Sequence, residues 1–167
     1  DGQVFRKREY ALGIHVASFA LNRGELVFIR GGNGSGKSTF MNVLAGVYPQ
    51  QSGAMFVNGA PLTDLGMEAY RNIFTLLPTD FHLFSRPLGV DASVRRVKRV
   101  LELMRIDSKV RVEADGSFST LDLSAGQCKR LALACALLED REVYLLDEVA
   151  ADFDPGFRKF FYEELLP

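Results

Sequence analysis

No stretch of the 167 residues approaches the roughly 20 consecutive apolar residues that span a bilayer, so any membrane role has to come from a partner or a further segment. Charge of one sign is also missing. Twenty Lys and Arg against 21 Asp and Glu leave a net charge of −1, which gives no general attraction to nucleic acid or anionic lipid, and no nucleic-acid partner is expected. Cysteine is scarce: Cys128 and Cys135 lie seven apart in what reads as one helix, a separation of about 10 Å and too long for a disulfide. They fit a reducing cytosol and read as small buried apolar residues. The polar start Asp1-Gly2-Gln3-Val4-Phe5-Arg6-Lys7-Arg8 carries no leader, and the lack of an initiator Met leads us to expect a chain that begins inside a longer protein. Neither an internal repeat nor a low-complexity tract interrupts what size and ordinary composition describe as one globular domain.

What is present is led by Gly31-Gly32-Asn33-Gly34-Ser35-Gly36-Lys37-Ser38, which has the pattern G-x-x-x-x-G-K-S and follows the apolar run Leu26-Val27-Phe28-Ile29. The glycines let the backbone bend so that several N–H groups face a β-phosphate, Lys37 reaches the β- and γ-phosphates, and the Ser38 hydroxyl suits Mg²⁺. The following residues, from Thr39 to Ala45, would aim the positive end of a helix at the same phosphates. A buried strand over residues 26–30 is the expected lead into this loop.

Around it, residues 14–21 and 53–58 read as strands, the second closed by an Asn58-Gly59 turn, and 70–77 as a strand ended by Pro78. Over 90–106 the pattern turns helical, with Val94, Val97, Leu101 and Met104 on one face and Arg95, Arg96, Lys98 and Arg99 on others, a basic cluster that reads as solvated. Residues 107–120 read as loop. Ser124 caps a helix through Leu138, and 142–146 form an apolar strand ending in Asp147-Glu148. A carboxylate emerging at the end of a buried strand lies where open α/β sheets hold ligands, so Asp147 is the candidate metal residue and Glu148 the candidate general base. Alone such a pair is equally a surface turn; beside a phosphate loop the functional reading prevails.

Leu123-Ser124-Ala125-Gly126-Gln127 stands about twenty residues before that pair and resembles the LSGGQ signature of ABC ATPases. A hydroxyl, a bare glycine backbone and a helix N-terminus form a second anion clamp. The resemblance implies that Ser124, Gly126 and Gln127 close over ATP held by a second ATP-binding domain, giving a homodimer sandwich around two nucleotides. It also implies ATP contacts from Gly31, Asn33, Gly34, Ser35, Gly36, Lys37, Ser38 and Thr39, Mg²⁺ on Ser38 and Asp147, and catalysis by Glu148 and Lys37.

A narrower resemblance covers almost the whole chain. The phosphate loop, Asp80-Phe81-His82-Leu83-Phe84, and Ala150-Ala151-Asp152-Phe153-Asp154-Pro155-Gly156-Phe157-Arg158 followed by Phe161-Tyr162 and Leu165-Leu166-Pro167 look like the ATPase half of cyclic-peptide and siderophore-peptide exporters. That implies an N-terminally fused transmembrane domain, a place at the cytoplasmic face of the inner membrane, Asp154 as the D-loop carboxylate at the dimer interface, and Phe5 as a candidate adenine-stacking ring or a plain core residue. Val149 and Phe153 depart from the group's Trp and Gln, and Thr79 stands where most ABC proteins have the Q-loop Gln. His15 and His82 read as structural or coupling residues in place of the family's later histidine.

The expected fold is therefore α/β, a P-loop NTPase of the ABC ATPase type with a helical subdomain, C-terminally truncated. Its expected parts are a phosphate-loop core over 1–84, a helical subdomain with signature helix over 85–138, and a metal-binding strand with D-loop over 139–167. The resemblance further implies a strand between 142–146 and 26–30 that these residues do not supply, so the chain alone is expected to be unstable or inactive. The expected activity is ATP hydrolysis coupled to peptide export. The alternatives are a non-transport ABC ATPase and a nucleotide-binding fragment without turnover.

Overall fold

The computed structural model describes residues 18–89 and 93–167. Its best-packed part is helical. Helix α5 (Ala125–Glu139) is apolar almost all round, and it buries Leu131, Leu133, Ala134 and Leu138 at its centre, as expected of a helix enclosed by its neighbours. Its start is fixed by a capping box, in which the Gln127 amide donates to Ser124 Oγ at 3.4 Å and the Ser124 amide to Gln127 Oε1 at 3.0 Å. Helix α4 (Val94–Leu103) turns Val97 and Leu101 toward α5 and its charged residues outward, with Ser93 as N-cap. Of the predicted helix over 90–106, residues 94–103 are helical, Met104 caps the end, and 90–92 lie outside the described residues. The basic residues Arg95, Lys98 and Arg99 are exposed, and Arg96 pairs with Asp140 at 3.5 Å.

Two short parallel strands lie beside α5. Strand β3 (Phe74–Leu77) pairs with β4 (Val143–Leu146) in register, Phe74 opposite Val143 and Leu77 opposite Leu146. Helix α1 (Lys37–Leu44) packs Met41 on Leu145 of β4. A two-residue hairpin, β1 (Phe56–Val57) and β2 (Ala60–Pro61), turns through Asn58 and Gly59 at φ 50° and 80°, the positive pair that a type I′ turn requires. After β4 the chain reaches helix α6 (Pro155–Phe160), capped by the Asp154 side chain, and then a single π-helical turn (Phe161–Leu165).

The run 53–58 is strand only at Phe56–Val57, and further expectations change. The run 70–77 is strand only in its second half. Gly66 starts the short helix α3 (Met67–Arg71), which follows the single turn α2 (Leu62–Leu65), and Tyr70 is buried there with its hydroxyl donating to the Leu44 carbonyl at 2.5 Å. That anchor sets the backbone before the strand begins. The expected strand over 14–21 falls mostly outside the described residues, and its described part, 18–21, is irregular.

The largest correction is at 26–30. This run was expected as a buried strand, yet among the described residues it pairs with no other strand, and Leu26 and Phe28 are 50% and 56% exposed. An extended segment finds partners for its N–H and C=O groups in neighbouring strands or in water, and the described residues place no strand beside this one. The run and β4 instead both line one cleft of about 2760 Å³, which α1 and the π-turn also border. Among the described residues, a Phe28–Tyr162 ring contact at 6.4 Å and, just before the run, an exposed Arg23–Glu142 pair at 3.9 Å join this part of the chain to the C-terminal half.

A candidate nucleotide site in two clefts

The loop 31–38 is shaped by its own atoms. Gly34 and Gly36 hold φ at 75° and 92°, a left-handed conformation that favours glycine, and the Ser35 amide donates to the Gly32 carbonyl at 3.2 Å. Gly31 lies close under Ser35, whose hydroxyl would have to turn away to admit a Cβ there, at 2.5 Å from Ser35 Oγ. Lys37 opens α1 and curls back over the loop, its Nζ donating to the carbonyls of Gly31 and Gly32 at 3.0 and 3.1 Å. The ammonium is thereby held above the turn whose amides would face an anion. Asn33, Ser38 and Thr39 are exposed around it.

Asp147 and Glu148 follow β4 directly. The Asp147 amide bonds the Leu77 carbonyl at 2.9 Å, so pairing with β3 continues to the carboxylate, and Thr79 Oγ1 lies 3.4 Å from the Asp147 carbonyl. Asp147 is buried; Glu148 is exposed and adopts φ 49°, a conformation that residues with a Cβ seldom take. Lys37, Thr39, Asp147 and Glu148 all border the large cleft. Sequence-predicted residues more than a hundred positions apart are therefore brought to one space.

Ser124, Gly126 and Gln127 are not in that space. They border a separate cleft of about 540 Å³ with Arg105, Lys109, Arg130, Asp152 and Asp154. Gly126 is required by packing, since a Cβ would sit 2.5 Å from the Asp152 carbonyl. Asp154 caps α6 by accepting from the Phe157 amide at 3.0 Å and pairs with Arg130. The Phe157 amide, reinforced by Arg130, holds its carboxyl below the ordinary value. Burial, with Glu139 nearby, pushes the Cys135 thiol up to about 12, so it behaves as the apolar residue that its position suggested.

Sequence reasoning missed the side chains that hold the loop 147–154. Lys129 is buried, donates to the Glu148 carbonyl at 3.0 Å and pairs with Asp152 Oδ2 at 3.1 Å. The Arg130 guanidinium lies over the Phe157 ring at 4.1 Å, and that of Arg105 over the Phe160 ring at 4.0 Å. Arg158 donates to the Ala151 and Phe153 carbonyls at 3.1 and 3.0 Å. A lysine within the apolar run of α5 was the visible signal. His82 is exposed and meets Phe84 edge-on at 4.9 Å; Phe5 and His15 lie outside the described residues.

No helix among the described residues is long and apolar enough to cross a membrane. The ABC transporter family model matches residues 14–151. ATP-binding protein SyrD of Pseudomonas syringae pv. syringae is 48% identical over 162 residues, which cover 95% of this chain and 28% of that protein. Subtilin transport ATP-binding protein SpaT of Bacillus subtilis is 30% identical over 154 residues, covering 81% of this chain and 25% of that one. The chain thus spans about a quarter of the length of these relatives. A solved structure of a bacterial Atm1-family ABC exporter with ATP bound superposes with a TM-score of 0.65 at 22% identity, covering 77% of this chain and 25% of that chain, and it shares the fold.

Proposed function

The chain belongs to the ABC transporter family, as an ATPase domain of the P-loop type, and from that premise we propose that it is the ATP-binding and ATP-hydrolysing part of an exporter of cyclic or siderophore-type peptides. The observation that carries this reading is that Lys37 of the phosphate loop and Asp147 and Glu148 after β4 border one cleft, while Ser124, Gly126 and Gln127 border another. The names of SyrD and SpaT, an ATP-binding protein and a transport ATP-binding protein, support it.

In this proposal Gly31, Asn33, Gly34, Ser35, Gly36, Ser38 and Thr39 surround the nucleotide phosphates. Lys37 exchanges its two carbonyl partners for phosphate oxygens. A hydroxyl at Ser38 and a buried carboxylate at Asp147 form the hard oxygen donor set that suits Mg²⁺, which commonly takes one or two protein ligands beside phosphate and water. When bound, the ion neutralises phosphate charge. Glu148, exposed to the cleft, accepts a proton from the attacking water, and Lys37 balances charge on the γ-phosphoryl oxygens. Ser124, Gly126, Gln127 and Asp154 act at the second cleft on nucleotide held by a second copy. A fused transmembrane domain would place the site at the cytoplasmic face of the inner membrane.

A second reading, nucleotide binding without turnover, is favoured by the segment that carries the loop, which among the described residues pairs with no strand. Phosphate release from ATP with Mg²⁺ separates the two. Turnover that Lys37→Ala abolishes supports the ATPase, and saturable ATP binding with no phosphate release from the natural polypeptide that carries this domain supports the second reading.

A further inference from the structure

Lys129 is the buried charge of α5, whose other charged residues, Arg130 and Glu139, are half-buried and exposed. Buried lysines need partners, and a buried ion pair adds little net stability compared with well-packed apolar residues. Its two polar partners among the described residues lie on the loop that carries the candidate base: the Glu148 carbonyl at 3.0 Å and Asp152 Oδ2 at 3.1 Å. Glu148 itself holds φ 49°, which persists only where the surroundings over-determine the backbone. Gly126, three residues before Lys129, lets α5 approach the Asp152 carbonyl so closely that a Cβ would be 2.5 Å from it. The loop is therefore fastened to the first turns of α5 at two points, one by a bare glycine and one by an ammonium.

We propose that Lys129 is a positioning residue for ATP hydrolysis: by binding the Glu148 carbonyl and Asp152 together, it holds the Glu148 backbone in its left-handed conformation and so fixes where the carboxylate meets the attacking water. This rests on the assignment of Glu148 as general base. Lys129 touches neither nucleotide nor water in this role. It also ties the candidate base to the same helix whose N-terminus carries Ser124, so the two clefts share one rigid connection.

The test uses the natural polypeptide that carries this domain, with ATP affinity and steady-state phosphate release measured on Lys129→Met, Lys129→Arg, Asp152→Asn, Glu148→Gln and the Lys129→Met/Glu148→Gln pair. Misplacing a catalytic group by about 1 Å is worth about 100-fold, so Lys129→Met is expected to lower kcat by about 10- to 100-fold with KM and ATP affinity within about twofold. Lys129→Arg restores part of the loss, and Asp152→Asn, altered at the more exposed partner, gives a smaller loss of the same kind. The double variant is no slower than Glu148→Gln alone, because Lys129 acts through Glu148. A near-normal kcat in Lys129→Met while Glu148→Gln is inactive overturns the inference and leaves the general base standing. Full turnover in Glu148→Gln overturns the general base and this inference with it. If Lys129→Met does not fold, Asp152→Asn decides: a normal kcat there refutes the positioning role.

Discussion

Helix α5 and residues 26–30 are both apolar runs beside a candidate phosphate-binding segment, yet Leu131 and Leu133 are 0% and 2% exposed while Leu26 and Phe28 are 50% and 56% exposed. The difference lies in where each finds its hydrogen bonds. A helix closes its own ladder and needs only apolar neighbours for its side chains, which α4, β3 and the Phe153–Phe161 aromatic cluster provide for α5. A strand must borrow both. The phosphate loop is therefore carried by the less self-sufficient part of the fold, and the signature segment by the more self-sufficient one.

The sharpest way to break this contrast is hydrogen exchange. Amides of residues 131–138 are expected to exchange at least about a thousandfold more slowly than those of 26–30, since one set opens only with the core and the other has no strand partner among the described residues. Equal protection would show that 26–30 is paired in solution. Next in size are truncations. Leu131→Ala is expected to destabilise by about 2–5 kcal/mol and Phe28→Ala by less than about 1 kcal/mol, read from denaturant midpoints at unchanged slope.

How much of this was legible follows the same division. Ser124 announced the start of α5 because capping chemistry is local, and Asn58-Gly59 announced its hairpin for the same reason. Pro78 marked the end of β3, but its start was misplaced because the anchor of Tyr70 on the Leu44 carbonyl is 26 residues away in sequence. The run 26–30 has the composition of a buried strand, and composition does not state whether a partner is at hand. At the site, the loop and the Asp147-Glu148 pair were readable from spacing. The contacts of Lys129 and Arg158 to backbone carbonyls were not, because a carbonyl acceptor leaves no mark in the sequence.

Smaller effects sharpen the comparison at the signature end. Ser124→Ala removes half of the capping box and is expected to lower stability by about 1 kcal/mol, whereas Ser124→Arg should leave nucleotide binding by single copies intact and prevent ATP-dependent dimerisation, as followed by light scattering in a Glu148→Gln background. Smallest is the effect of acid on Asp154. Its folded-state carboxyl titrates below its ordinary value of 3.8, so its contribution is present above that pH and is lost as pH falls through the lower folded value. Asp154→Asn should accordingly flatten the fall in stability below about pH 4, read from Tm against pH, and leave its slope near neutrality unchanged.

The proposed division of labour is tested most directly by equilibrium ATP binding and single-turnover phosphate release on Lys37→Ala and Glu148→Gln, side by side in the natural polypeptide. Lys37→Ala removes a phosphate contact and is expected to lose tight ATP binding. Glu148→Gln removes only the proton acceptor and is expected to bind ATP within about twofold of the parent while releasing phosphate at least about 100-fold more slowly. If Glu148→Gln loses ATP as severely as Lys37→Ala, or hydrolyses it at the parent rate, the assignment of the cleft is contradicted.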